Sequence, residues 1–143
     1  MTELRKPLVA LLFSPDQVVR KAILEGKKQI TIRDGYREYH PGTPVVLCCC
    51  EKDPWCVQAD ITGVRYCRLA EVTEEEWQAA GFPSREEGLE GMRRFYPALT
   101  WDSAVTIIRW KNVRGKLVDD WAELRKSSWV LQDSDYWNRE SSF

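Results

Sequence analysis

Between residues 14 and 33 the chain carries a start signal, an apolar period and a stop signal that leave it few alternatives. Ser14-Pro15-Asp16-Gln17 supplies a cap residue, a proline suited to a first helical turn and a glutamine three positions on. Val18, Val19, Ala22 and Ile23 then recur at helical spacing until Gly26, a residue that ends helices because it accepts a left-handed backbone. Gln29–Arg33 alternates, with Ile30 and Ile32 on one face and Gln29, Thr31 and Arg33 on the other, the pattern of a half-buried strand. A helix, a glycine stop and a strand therefore follow one another closely. Thr31 and Arg33 project from one face of that strand, just after the lysine pair Lys27-Lys28.

The remaining signals are mostly β. Leu8–Phe13 suits a short buried strand, and Pro41-Gly42 is a turn that introduces a second strand from Val45 to about Cys50. Trp55 to about Val72 reads as one long strand, or a pair separated near Gly63. Thr73 with Glu76 and Ser84 with Glu87 each match a capping box, so two short acidic helices flank the break at Gly81-Phe82-Pro83. Ala104–Trp110 is the last clear strand, and Val118–Lys126 has the pattern of a short helix with Leu117, Trp121 and Leu124 on one face. The pattern predicts an α+β fold: a small, partly open β-barrel of about five or six strands with helices at the edges. At 143 residues one core is expected, formed by residues 1–110, with the tryptophan-rich extension 111–143 packed on the same domain.

Charge and cysteine usage narrow the function classes. The net charge of −1 excludes a uniformly basic nucleic-acid glove, yet charge is unevenly placed. Arg20, Lys21, Lys27, Lys28, Arg33 and Arg37 outweigh Glu25 and Asp34, whereas Glu71–Glu90 holds seven glutamates and one arginine. This predicts an anion-facing side and an acidic side. Five cysteines is an odd number, which argues against a disulfide framework. Consecutive Cys48, Cys49 and Cys50 on a strand point to alternating faces, and with a single histidine, His40, no metal site is expected. Apolar runs such as Pro7–Phe13 and Pro44–Cys50 fall far short of the ~18–20 residues of a membrane span, and Met1–Phe13 lacks the form of a secretory signal, so a cytoplasmic protein with no membrane partner is expected.

Ile23-Leu24-Glu25-Gly26-Lys27-Lys28-Gln29-Ile30-Thr31-Ile32-Arg33-Asp34 resembles the signature of the ASCH domain, whose fold is similar to the PUA RNA-binding barrel. The family pattern is an apolar pair, Gly-x-Lys, a glutamate or threonine three residues on, then x-Arg. Gly26, Lys28, Thr31 and Arg33 supply it here, supported by Pro41-Gly42, Ala80-Gly81-Phe82 and Phe95-Tyr96-Pro97 at family-like places. The resemblance covers roughly residues 7–110 and implies a PUA-like barrel whose cleft binds RNA or a modified nucleoside or nucleotide. Lys28 and Thr31 would be the reactive pair, with Gly26, Lys27, Arg33, Asp34 and Tyr36 as binding residues, no cofactor, and a monomer or weak dimer.

The residues support that chemistry independently. An ammonium, a hydroxyl and a guanidinium in one cleft suit a polar, anionic ligand, since arginine offers a planar fork and lysine a point charge whose pKa falls on desolvation. Tyr36, Tyr39 or Trp55 could supply a stacking floor. The match is closest to the bacterial N(4)-acetylcytidine amidohydrolases of the family, in which lysine activates the threonine hydroxyl and a glutamate moves the proton. That glutamate's position falls here on Ala80 or a near neighbour, and Glu76 and Glu87 have capping roles instead. The leading expectation is thus a binding module, with the Lys-activated Thr amidohydrolase as the alternative. A ribonuclease lacks paired histidines, and a protein-interaction module would use the tryptophan-rich tail.

Overall fold

The computed structural model describes residues 9–51 and 54–118. They form five β-strands, three α-helices and one 3-10 turn, an α+β arrangement of the expected strand number. Of the extension 111–143 only residues 111–118 are described, as the end of the last strand, and the rest of the predicted helix at Val118–Lys126 and of the tryptophan-rich tail lies outside the described residues.

The chain divides into two compact units. The described part of the first comprises residues 9–15, 44–51, 54–59 and 114–118. In it β1 (Ala10–Leu12) runs parallel to β3 (Pro44–Cys49), with Ala10 opposite Val46, Leu11 opposite Leu47 and Leu12 opposite Cys48. Both faces are buried. Ala10, Leu12, Val46, Cys48 and Cys56 pack together with Cys50 against them, and the Phe13 and Trp55 rings stack at 6.1 Å. The cysteines Cys48, Cys49, Cys50, Cys56 and Cys67 are all free thiols. Burial, reinforced by contacts from Cys50 and Cys56, pushes the Cys48 thiol well above its ordinary pKa, so it serves as a small hydrophobe.

The second unit comprises residues 16–43 and 60–113. Helix α1 (Gln17–Leu24) is capped by Asp16, whose carboxylate accepts from the Val18 and Val19 amides, rather than by Ser14. The acid one residue after the proline is closer to the first free amides and takes the role. Strand β2 (Ile30–Asp34) pairs antiparallel with β5 (Ala104–Val118), Thr31 opposite Ile108 and Arg33 opposite Thr106. Strand β4 (Trp55–Arg68) is a single 14-residue strand that passes through Gly63 without a break. The full strand order is β1-β3-β4-β5-β2. After the 3-10 turn Leu69–Glu71 come α2 (Glu74–Ala79) and α3 (Arg85–Arg93), capped by Thr73 and Ser84 as the sequence predicts. Ile30, Ile32, Leu69, Val72, Trp77, Met92, Leu99, Val105 and Ile107 form this unit's apolar core.

Two expectations need correction. β5 does not end at Trp110 but continues to Val118, although Asn112 has a positive φ of 61° and Gly115 one of 59°. Backbone pairing outweighs the polar, weakly β-forming sequence there. β2 is also not half-buried: Thr31 and Arg33 are 7% and 2% exposed, on a sheet face that they share with their buried β5 partners Ile108 and Thr106. Among the described residues no helix is long and apolar enough to cross a membrane.

Candidate functional site

The site is built on the junction from α1 to β2. Gly26 adopts φ 76°, which lets the Lys27 and Lys28 amides both turn back to the Ala22 carbonyl at 2.8 and 2.9 Å. This closure aims Lys28 into the protein and leaves Lys27 outside. The Lys28 ammonium donates to the Ala80 carbonyl at 3.0 Å, an acceptor at the C-terminal end of α2 where the helix dipole is negative. Burial, and then the positive charge of Arg33, lower the Lys28 pKa to about 8. At neutral pH about a tenth of the lysine is then the free amine.

On β2 the Arg33 Nε donates to Thr31 Oγ1 at 3.0 Å. The hydroxyl keeps its own proton to give, and the guanidinium is fixed in orientation by a side chain two residues away on the same face. The β5 position registered with Arg33 is Thr106, fully buried, whose hydroxyl donates to the Gly35 carbonyl at 2.7 Å and accepts from the Arg37 amide at 2.8 Å. Arg33 is thereby tied through the sheet to the loop that follows its strand.

The candidate residues of the sequence thus fall into two groups. Arg33 bonds Thr31 and its charge is felt at Lys28, which reaches the Ala80 carbonyl from the turn that Gly26 shapes. Lys27 is directed to the surface, where it pairs with Glu25 at 3.1 Å. Asp34 alternates onto the Ile30 and Ile32 side of the strand, away from Arg33. Tyr36 stands on the loop after β2, 63% exposed, in edge contact with Tyr66. The six basic residues between Arg20 and Arg37 do not make one anion-facing side either, since Lys21 and Lys27 both meet Glu25 while Arg33 is buried.

The acidic helices are engaged in holding structure. Glu71 binds Arg68, Glu75 binds Arg109 at 2.8 Å, and Glu76 binds Arg65. Glu76 is buried, and its carboxylate also accepts from the Thr73 amide at 2.8 Å. Burial pushes its pKa up, but the Arg65 guanidinium and the Thr73 amide outweigh it and hold the carboxyl below the usual range. It stays ionised and occupied with its cap. The functional groups that the sequence did not single out are the Ala80 carbonyl and the Thr106 hydroxyl. The first is a backbone atom that no residue type announces, whereas the second could have been found as the polar residue in the alternation of Ala104–Trp110.

No family model matches the chain, and no curated protein matches it in sequence. Solved structures do. It is similar to the ASCH domain of Lactobacillus crispatus, with TM-score 0.57 and 20% identity over 75% of this chain and 79% of that one. A DUF984-family protein of Enterococcus faecalis superposes with TM-score 0.58 and 15% identity, over 78% and 82% of the two chains. The ASCH protein of Zymomonas mobilis gives 0.51 and 15%, over 72% of this chain and 67% of that one. The chain spans about two thirds of the length of the Zymomonas protein. These likenesses establish the α+β, PUA-like fold of ASCH domains for this chain.

Proposed function

We propose that this ASCH-type domain binds RNA or a modified nucleoside through Lys28, Thr31 and Arg33. The observation that supports the reading is a buried Arg33 whose Nε is held by the Thr31 hydroxyl, with the Lys28 ammonium nearby lowered in pKa first by burial and then by the Arg33 charge. A guanidinium and an ammonium near one another suit an anionic or electron-rich ligand. Arg33, oriented by Thr31, offers a fork for a phosphate or a base edge, and Lys28 adds a point charge. Five free thiols, four of them buried, suit a reducing compartment such as the cytoplasm.

A second reading, an amidohydrolase acting on N(4)-acetylcytidine, has one observation in its favour: a Lys28 amine with pKa about 8, partly free at neutral pH, has the basicity to take a proton from a threonine hydroxyl such as Thr31 as it attacks the acyl carbon. Against it, position 80 offers only a carbonyl and Glu76 is committed to Arg65 and Thr73. One experiment separates the two. Purified protein is incubated with N(4)-acetylcytidine and followed chromatographically for cytidine, with Thr31→Ala beside it and ligand binding measured on both. The binding module predicts no turnover, with affinity that Lys28→Ala reduces at least tenfold. Turnover that Thr31→Ala abolishes would replace it with the hydrolase.

A further inference from the structure

The loop after β2 is tied down far more tightly than an exposed turn requires. Gly35 at φ 80° donates its amide to the Ala104 carbonyl at 2.8 Å and accepts from Thr106 at 2.7 Å. The Arg37 amide donates to Thr106 at 2.8 Å, its carbonyl accepts from the Tyr66 hydroxyl at 2.8 Å, and its Nε reaches back to the Asp34 carbonyl at 2.9 Å. Five hydrogen bonds fix four residues, and the side chain between them, Tyr36, is the one left 63% exposed. Among the described residues its ring meets that of Tyr66, itself 47% exposed, at 5.6 Å and 79°. Large aromatic rings held out in water on a rigid backbone bind with little loss of conformational entropy.

The position of this ring is set by the site already described. Thr106, which clamps both Gly35 and Arg37, is the residue registered with Arg33. Two positions along the chain from Tyr36 to Asp34, and one further, lies the buried guanidinium. Arg37 adds a second guanidinium in the loop, bound to the Asp34 carbonyl and the Tyr96 hydroxyl. The stretch from Lys28 to Arg37 thus runs from a buried ammonium and guanidinium to a second guanidinium in the loop and, at its outer end, an open ring.

We propose that Tyr36, braced by Tyr66, is a stacking platform for a nucleobase adjacent to the one read by Arg33, so that the ligand is a single-stranded RNA of two or more nucleotides and not a free nucleoside. This rests on the nucleic-acid reading of the Lys28–Arg33 site and extends it. A mononucleoside is served by Lys28, Thr31 and Arg33 alone. A platform outside them is of use only to a chain whose next base is covalently attached, with Arg37 beside the linking phosphate. Stacking reads the face common to all bases, so the platform adds affinity without adding sequence preference.

The test uses the full chain and a pentaribonucleotide carrying 2-aminopurine, with cytidine as the mononucleoside. The oligonucleotide is expected to bind more tightly than cytidine, with quenching of the fluorescent base. Tyr36→Ala should weaken oligonucleotide binding about five- to a hundredfold and leave cytidine binding unchanged, and Tyr36→Phe should restore it to within about twofold. Oligonucleotide binding that Tyr36→Ala leaves intact while Lys28→Ala removes it overturns the platform alone. If the wild-type chain binds neither probe, the reading of the site falls and the platform with it.

Discussion

Lys28 is the residue whose ionisation separates binding from catalysis. Its pKa is about 8 in the fold against 10.5 for an ordinary lysine, so between those values the unfolded chain holds more protons than the folded one. Stability therefore rises with pH across that window, and below about pH 8 the protein bears the whole disadvantage of a desolvated ammonium. Replacing Lys28 by Met should remove this rise. Urea unfolding at about pH 7 and about pH 10 should show the wild type gaining on the order of 1–3 kcal/mol relative to Lys28→Met. Equal pH dependence in the two proteins would mean that the ammonium is fully hydrated. The same value fixes the sign of the functional profiles: affinity for an anionic ligand falls as Lys28 loses its charge above about pH 8, whereas hydrolysis through the free amine climbs to a plateau there. Thr106 poses the complementary question for a buried hydroxyl. Thr106→Val keeps the shape but leaves the Gly35 carbonyl and the Arg37 amide without their partner, which should lower stability by about 1–3 kcal/mol and speed hydrogen exchange at the Arg37 amide. The turn before Lys28 and the shared face of Thr31 and Arg33 were legible because a glycine stop and a period-2 strand fix their directions. The Lys28 contact with the Ala80 carbonyl joins positions 52 residues apart and leaves no trace in local pattern.

Among the elements, α2 is the one through which core packing reaches the site. It is six residues long, with its start fixed by the Thr73–Glu76 box and its buried face by Trp77, and Ala80 at its end receives Lys28. Trp77 lies directly on Gly88 of α3, so closely that a Cβ there would overlap the ring, and the Phe82 ring meets Trp77 edge-on at 5.7 Å. Gly88→Ala would gain up to ~1 kcal/mol of helix propensity. The steric term is larger, because the clashing partner is a buried indole that cannot swing away, and overpacking of this kind costs about 1–3 kcal/mol or more. The expected outcome is a lowered urea midpoint together with a Lys28 pKa lowered further, as α2 shifts and the terminal carbonyl that favours the charged ammonium moves away. An unchanged midpoint would show that α2 and α3 part freely. Element boundaries set by caps were legible: both acidic helices begin where Thr73 and Ser84 indicate. The burial of both faces of β2 was not, since its alternation of isoleucine with polar residues reads as one dry and one wet face, and burial of the second face depends on tertiary packing that local pattern does not carry.

At the scale of the whole chain, the strand order β1-β3-β4-β5-β2 could not be read from sequence, because alternation specifies which residues share a face but not which strand lies alongside. The two long strands are the clearest case. β4 and β5 each contribute residues to both compact units, so neither unit is a contiguous segment, and no composition shift marks a boundary between them. The sequence placed the end of the last strand at Trp110, so a cut there would remove only the extension packed on the domain and no strand. In the structure that cut removes Lys111–Val118 from β5, including Asn112, whose amide donates to Asp60 at 3.0 Å, and the residues from Arg114 on that belong to the first unit. A chain ending at Trp110 should therefore be less stable than one ending at Val118 by several kcal/mol, on the order of 0.5–1.5 kcal/mol for each backbone hydrogen bond lost. The loss should extend to the first unit, where exposed thiols report it. In the chain ending at Trp110, the buried Cys48, Cys49 and Cys56 should react with a thiol reagent under native conditions far faster than in the chain ending at Val118. Matching reactivity and matching urea midpoints in the two chains would show that β5 beyond Trp110 carries none of the fold's stability, and that the sequence had placed the strand's energetic end correctly even though its geometric end lies eight residues further on.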